Sequence, residues 1–227
     1  MTIPILSLLE TRILGVLVEK QHTVPDTYPL TLNALTAGCN QKTSRDPVLC
    51  ATESEVQAAV DALQRYSLVV QSSGGRVMRY AHNVQRVLEI PAQAVALLAT
   101  LMLRGPQTGA ELRVNSERLH RFADISAVDG FLRELAERPA GALVTALPRQ
   151  SGTRENRFAH LLSGPPIVSE PAGQDAAAEL ATQASIPVSE VAALKRNVAE
   201  LHEELCTLRM VVIRLCAELG IDPPPPT

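Results

Sequence analysis

One tetrapeptide occurs twice in this chain. Arg79-Tyr80-Ala81-His82 returns seventy-eight positions later as Arg157-Phe158-Ala159-His160. Each copy closes a segment with the same layout: an apolar helical run, a short capped helix, a second capped amphipathic helix, and a strand-turn-strand pattern. A repeat of this period constrains the fold more than any single motif, because each copy has to form one supersecondary unit. Three helices followed by a β-hairpin is the order of a winged helix, whose third helix can enter a major groove while the hairpin touches the backbone beside it. The expected fold is mainly α with small β-hairpins, an α+β arrangement of two tandem winged-helix domains.

In the first copy, Ser7-Leu8-Leu9-Glu10 has capping-box spacing. Behind it Leu9, Ile13, Leu14, Leu17 and Val18 form one apolar face that ends near Lys20. Pro25 and Pro29 exclude helix from the stretch they bound. Leu30 to Ala37 reads as a short helix stopped by Gly38. Beyond a polar loop, Thr52-Glu53-Ser54-Glu55 opens a third helix with Val56, Ala59, Val60 and Leu63 on its inner face. Leu68 to Gln71 and Arg76 to His82 are strands around the turn Ser72-Ser73-Gly74-Gly75.

The second copy repeats the order. Ala94 to Leu103 is an apolar helix stopped by Gly105-Pro106, and Thr108-Gly109-Ala110-Glu111 caps the next. Ser126-Ala127-Val128-Asp129 is read as the cap of a third helix with Val128, Phe131, Leu132 and Leu135 inward. Leu143 to Leu147 and Arg154 to Leu161 are strands around Gln150-Ser151-Gly152-Thr153. In both closing strands the aromatic, Tyr80 or Phe158, is expected to face the core, with the flanking Arg and His outward.

These boundaries divide the chain into a first domain at 1–90 and a second at 91–162. A linker rich in Pro, Ala, Ser and Gly covers 163–187, a long helix 188–220, and a Pro-rich tail 221–227. In the long helix Val191, Leu194, Val198, Leu201, Leu205, Leu208, Val212, Leu215 and Leu219 alternate at spacings of three and four. Val chiefly at a and Leu at d favours a parallel two-stranded coiled coil. A homodimer is expected, against the alternative that this helix folds back on its own chain.

Aromatic residues make up only 3% of the chain and Trp is absent, so the cores have to be built from Leu, Val and Ala, which suits helices. Cys39, Cys50, Cys206 and Cys216 show no CxxC spacing and no neighbouring His pair, which argues against zinc and against a disulfide framework. The first residues lack the basic head of a signal peptide, and no stretch of about twenty apolar residues spans a membrane. A cytoplasmic protein without a membrane segment is expected. Gly-rich phosphate loops, HExxH and GxSxG are absent, and the five histidines never fall at metal-ligand spacing. No catalytic residue, metal ligand or cofactor site is therefore assigned, and an enzyme is not expected.

Charge leaves two functions open. Residues 1–90 carry eight basic and eight acidic side chains, 91–162 nine and seven, and 163–227 four and nine. Neither repeat has the clearly basic character of a strong nonspecific DNA binder. Candidate contacts to duplex DNA or to a protein partner are Lys42 and Arg45 in the polar loop, Arg76 and Arg79 in the first hairpin, and Arg149, Arg154 and Arg157 in the second. Arg113, Arg118 and Arg121 add a basic stretch to the second copy. Glu53, Glu55 and Asp61 on the first recognition helix would be repelled by phosphate. A DNA-binding regulator is the first expectation, with a protein-interaction adaptor or scaffold, using its winged helices without DNA contact, as the alternative.

The run Pro25-Asp26-Thr27-Tyr28-Pro29-Leu30-Thr31-Leu32-Asn33-Ala34-Leu35, continued by Cys39-Asn40-Gln41-Lys42-Thr43-Ser44-Arg45-Asp46-Pro47-Val48, resembles the hallmark of the bacterial YceH family. The likeness covers roughly residues 5–162. It implies a tandem winged-helix fold and a family without an assigned biochemical role. It also draws attention to the loop Asn40 to Pro47, which is either self-hydrogen-bonded or a surface where Lys42 and Arg45 meet phosphate or a partner carboxylate.

Overall fold

The computed structural model of the chain describes residues 5–72, 77–149 and 155–166, together with Thr207, Val211, Val212 and Cys216. The described residues up to 166 belong to one compact unit, Met1–Ser169, and the last four to a second, Glu170–Thr227. Of the residues singled out above, Arg76, Arg154, Val191, Leu194, Val198, Leu201, Leu205, Leu208, Leu215 and Leu219 lie outside the described set, as do the tips of both hairpins and most of the linker.

The first copy runs α1 (Leu8–Thr23), β1 (Leu30–Thr31), α2 (Leu32–Cys39), α3 (Glu53–Arg65), β2 (Val69–Ser72) and β3 (Arg79–His82). A short helix, α4 (Val84–Leu88), leads into α5 (Ala92–Arg104), β4 (Gln107–Thr108), α6 (Gly109–Asn115), α7 (Ile125–Ala136), β5 (Val144–Ala146) and β6 (Arg157–His160). The described unit is mainly helical, with two small antiparallel sheets ordered β1-β3-β2 and β4-β6-β5. The register matches between copies: Tyr80 lies between Leu30 and Gln71, and Phe158 between Gln107 and Ala146. Strands β1 and β4 are not apparent in the sequence, because two residues are too few to show alternation.

Capping boxes form at Ser7–Glu10, Thr52–Glu55 and Thr108–Glu111, where the spacing called for them. Four local expectations are corrected. The stretch bounded by Pro25 and Pro29 is not free of helix, since Pro25–Thr27 forms one 3-10 turn with Pro25 at its first position, where a missing N–H costs nothing. Gly38 does not stop α2; it is buried inside the helix, whose C-cap is Asn40. A Cβ at Gly38 would lie 2.6 Å from Val16 Cγ1, so glycine lets α2 cross α1 closely. Helix α7 is capped two residues before Ser126, by Asp124, whose Oδ1 accepts from Ala127 N at 2.8 Å. His82 and His160 do not point outward, since strand alternation puts them on the same face as Tyr80 and Phe158. Burial there lowers both imidazoles to about 4.

One apolar core runs through both copies. Helices α1 and α5, the first of each repeat, lie against each other, and a Cβ on Gly15 would sit 2.9 Å from Leu103 Cδ2. Residues Ala94–Leu103 are buried all round, because α1 covers one side of α5 while α6, α7 and β6 cover others. Leu97, Leu98 and Leu101 are completely buried. Each such side chain contributes roughly 1.5–3 kcal/mol of transfer free energy. Polar ties reinforce the seam. Asp46 N donates to Leu103 O at 2.8 Å, Arg104 to Ser44 Oγ at 2.7 Å, and Arg138 to Leu88 O. Leu6 N donates to Leu162 O at 2.8 Å, which joins the start of the first copy to the end of the second.

Candidate interaction site

The polar loop turns inward. Asn40 imitates a backbone pair with Ala51: its Nδ2 donates to Ala51 O at 2.7 Å and its Oδ1 accepts from Ala51 N at 2.8 Å. Gln41 Nε2 donates to Thr43 O and Oγ1, at 3.2 and 3.0 Å. Arg45 is a correction to the reading that it meets an outside partner. Its side chain is fully buried, and it donates to both carboxylate oxygens of Glu19, at 3.1 and 2.6 Å. It also donates to Gly38 O and Ser44 O. Burial pushes the Glu19 carboxyl up, but the two hydrogen bonds and the positive charge of Arg45 outweigh it, leaving Glu19 below its ordinary value.

Beside this pair lies a second buried guanidinium, Arg12, outside the candidate residues named above. Arg12 donates to Cys39 O at 3.4 Å and Pro47 O at 2.7 Å, and its Nε has no partner. It sits among apolar α1 positions, so its only sequence signal was a charge interrupting an apolar run. The loop therefore closes over the α1–α2 crossing and joins it to α5. It is a structural joint rather than an open binding surface.

The remaining arginines divide. Arg79 donates to Thr27 O and Pro29 O, at 3.1 and 2.7 Å, and holds β3 to the proline-bounded segment. Arg157 pairs with Glu111 at 3.5 Å. Arg113 is exposed and donates to Ala123 O at 3.3 Å. Arg149 is exposed, with Nε donating to Asn156 Oδ1 at 2.9 Å. Arg118 and Arg121 are exposed. Lys42 is exposed on the loop and has an interaction partner of its own.

What separates the two copies is the space between the third helix and the hairpin. In the first, Tyr80 OH donates to Gln57 Oε1 at 3.0 Å, and Gln64 Nε2 donates to Gln71 Oε1 at 2.9 Å. These ties strap α3 to β2 and β3. Superposing the buried faces, Val56-Val60-Leu63 on Val128-Leu132-Leu135, places Asp129, Arg133 and Ala136 where α3 has Gln57, Asp61 and Gln64. The sheet registers place Ala146 for Gln71 and Phe158 for Tyr80. Gln64 and Gln71 are replaced by alanines and the Tyr80 hydroxyl is lost at Phe158, so neither strap can form. A cleft of about 450 Å³ opens there, walled by Ile125, Leu132, Ala136, Ala146 and Phe158. Accordingly Phe158 is only half-buried, whereas Tyr80 is 4% exposed.

The other polar groups are quiet. Cys39 is fully buried, and burial pushes its thiol up to about 12, far from a nucleophile's range. Tyr28 OH accepts from His82 N at 2.9 Å, and burial raises its hydroxyl to about 12. His82 Nε2 is 2.7 Å from Gln21 Oε1. Among the described residues no three His, Cys, Asp or Glu side chains form a metal-ligand set, and no helix is long and apolar enough to cross a membrane.

A chain of this build, two copies of a helical unit with a small sheet on one core, matches a known family over most of its length. The model described as "Protein of unknown function, DUF480" covers residues 6–153, and the chain belongs to this family. It is 58% identical to a UPF0502 protein of Burkholderia vietnamiensis over 214 residues, 94% of this chain and 89% of that protein. A UPF0502 protein of Burkholderia multivorans is 59% identical over the same shares. One of Methylibium petroleiphilum is 60% identical over 218 residues, 96% of this chain and 91% of its own.

Proposed function

We propose that this protein is a non-enzymatic cytoplasmic adaptor, two tandem winged helices that bind a protein partner and are paired into a homodimer by the helix at 188–220. The observation that carries the reading is the surface of α3, the helix that would have to read DNA in the first copy. It presents Glu53 and Asp61 to solvent, Glu53 accepting from Asn33 at 3.0 Å and Asp61 from Gln57 at 2.7 Å. Phosphate repels such a face, and two of the first copy's four cations expected to offset it, Arg45 and Arg79, are bonded to the protein's own carboxylate and carbonyls. For the dimer, Val212 is helical and 40% exposed within one chain, as an unpaired seam position would be.

The second reading, a DNA-binding regulator, is favoured by the exposed Arg113, Arg118 and Arg121 of the second copy. Fluorescence anisotropy with a random duplex of 20–30 base pairs at about 50 mM salt separates the two, because phosphate contacts are strongest at low salt. The adaptor reading expects no saturable binding. Binding that weakens steeply with added salt overturns it. Truncation after Ser163 is expected to convert dimer to monomer in sedimentation; a truncated protein that stays dimeric removes the coiled-coil contact from the reading.

A further inference from the structure

We infer that the cleft between α7 and the hairpin of the second copy is a docking site for a protein segment that inserts one large apolar side chain and presents a carboxylate beside it. The inference rests on the adaptor reading and adds to it which copy binds and what it binds.

The two copies serve as each other's control. Both place a helix and a hairpin at the same relative positions, so the groove between them is a product of the fold. The first copy fills it with its own side chains, through the Gln64–Gln71 and Tyr80–Gln57 bonds. In the second, Ala136, Ala146 and Phe158 remove two amides and a hydroxyl and leave about 450 Å³ open. The surfaces exposed by that removal are methyl groups and an aromatic ring. They offer an anionic phosphate no hydrogen-bond donor, but they stabilise an apolar side chain by taking it out of water, about 25 cal/mol for each Å² covered. Ile125, at the start of α7 and 44% exposed, extends this wall outward.

One position at the mouth changes sign between the copies. Asp61 of α3 accepts from Gln57, whereas its counterpart Arg133 is exposed and its guanidinium makes no hydrogen bond or ion pair among the described residues. Arg149 stands on the same cleft with only its Nε engaged, by Asn156. Two acids also line it. Asp129 leans over α6, its Oδ1 2.8 Å from where a Cβ of Gly109 would be, and Glu155 is exposed at the hairpin. The pair of guanidiniums suits a carboxylate on the incoming segment. The two acids make a single carboxylate a better fit than an acidic run, and they set a limit on how closely a phosphate backbone can approach.

The test uses the full-length protein and a phage-displayed library of random twelve-residue peptides. Selection is run against the native chain and counter-selected against A136Q/A146Q, which restores to the second copy the Gln–Gln strap of the first. Because the first copy shows that the strap fits this fold, the variant is expected to melt like the native protein, which circular dichroism checks. Enriched peptides are expected to share a Leu, Ile, Met or Phe with Asp or Glu within two positions. By anisotropy, A136Q/A146Q should weaken such a peptide at least tenfold, and Arg133→Asp should weaken it while improving a version with Lys in place of the acid. Failure to enrich any peptide over the counter-selected variant overturns the inference, as does a set enriched in basic residues. A random 20-base-pair duplex is the second arm. Duplex binding lost in A136Q/A146Q assigns the cleft to DNA and overturns both this inference and the adaptor reading. Absence of both peptide and duplex binding overturns the inference alone.

Discussion

Replacing Glu19 by Ala removes the only carboxylate bonded to Arg45 among the described residues and leaves a guanidinium with 0% side-chain exposure inside the loop. At the observed 2.6–3.1 Å separations, two unit charges at an effective dielectric constant of about 20 attract by roughly 5–6 kcal/mol. Bringing both ions out of water offsets much of that, so the intact pair contributes little net stability. Breaking it by removing one partner is different, because the stranded charge keeps its desolvation cost; such truncations lose about 3–5 kcal/mol. Arg45 retains the carbonyls of Gly38 and Ser44, which places Glu19→Ala toward the lower part of that range. Against a typical total of about 5–15 kcal/mol this is a large loss. At about 2–4 °C per kcal/mol for a chain of this size, the melting temperature should fall by roughly 6–16 °C. Urea and thermal unfolding at pH 7 measure it. The double variant Glu19→Leu/Arg45→Met should recover most of the loss, since a buried ion pair replaced by apolar groups of similar volume is often neutral. A Glu19→Ala loss below about 1 kcal/mol, or a double variant no better than the single, refutes the assignment of this pair as the loop's anchor.

Three further outcomes are expected. The folded chain holds His82 and His160 at about 4 against 6.5 in the unfolded chain, so the unfolded state binds more protons between those values. Stability should therefore fall as pH drops from about 7 to about 4, by up to about 3 kcal/mol for each histidine; urea midpoints measured across that window should flatten in a His82→Gln/His160→Gln variant, and an unchanged slope refutes the assignment. Below the ordinary carboxylate range the depressed Glu19 adds its own loss. The Cys39 thiol, buried and raised to about 12, should ignore a thiol reagent at pH 8 in a variant with the other cysteines changed to Ser, and react on unfolding in urea; prompt reaction of the native protein counts against its burial. Gly15→Val should force α1 and α5 apart at Leu103 and lower stability by about 1–3 kcal/mol, a prediction that fails if the melting temperature is unchanged.

Local chemistry was legible in the residues. Ser7, Thr52 and Thr108 cap helices where their spacing with Glu10, Glu55 and Glu111 demanded, because a capping box is completed within four residues and needs no distant partner. The twofold layout was legible too, and with it the apolar faces Val56-Val60-Leu63 and Val128-Leu132-Leu135. Asp124 and Ser126 are equally good capping residues by type, and only the backbone decides between them.

The tertiary structure decided the roles of the charges and the space between elements. Nothing within a few residues of Arg45 says that Glu19, twenty-six positions away, will neutralise it, so a buried strut and a phosphate contact read alike in sequence. Gly38 looked like a helix stop because close crossing by a distant helix leaves no local mark; Val16 supplies it. The same holds for the cleft. Gln64, Gln71, Ala136 and Ala146 are unremarkable along the chain, and their meaning appears only where each helix faces its hairpin. Periodicity and capping are set by neighbours in sequence, which one chain of residues contains in full. Pairing, close approach and open volume are set by neighbours in space, which the repeat could announce but not locate.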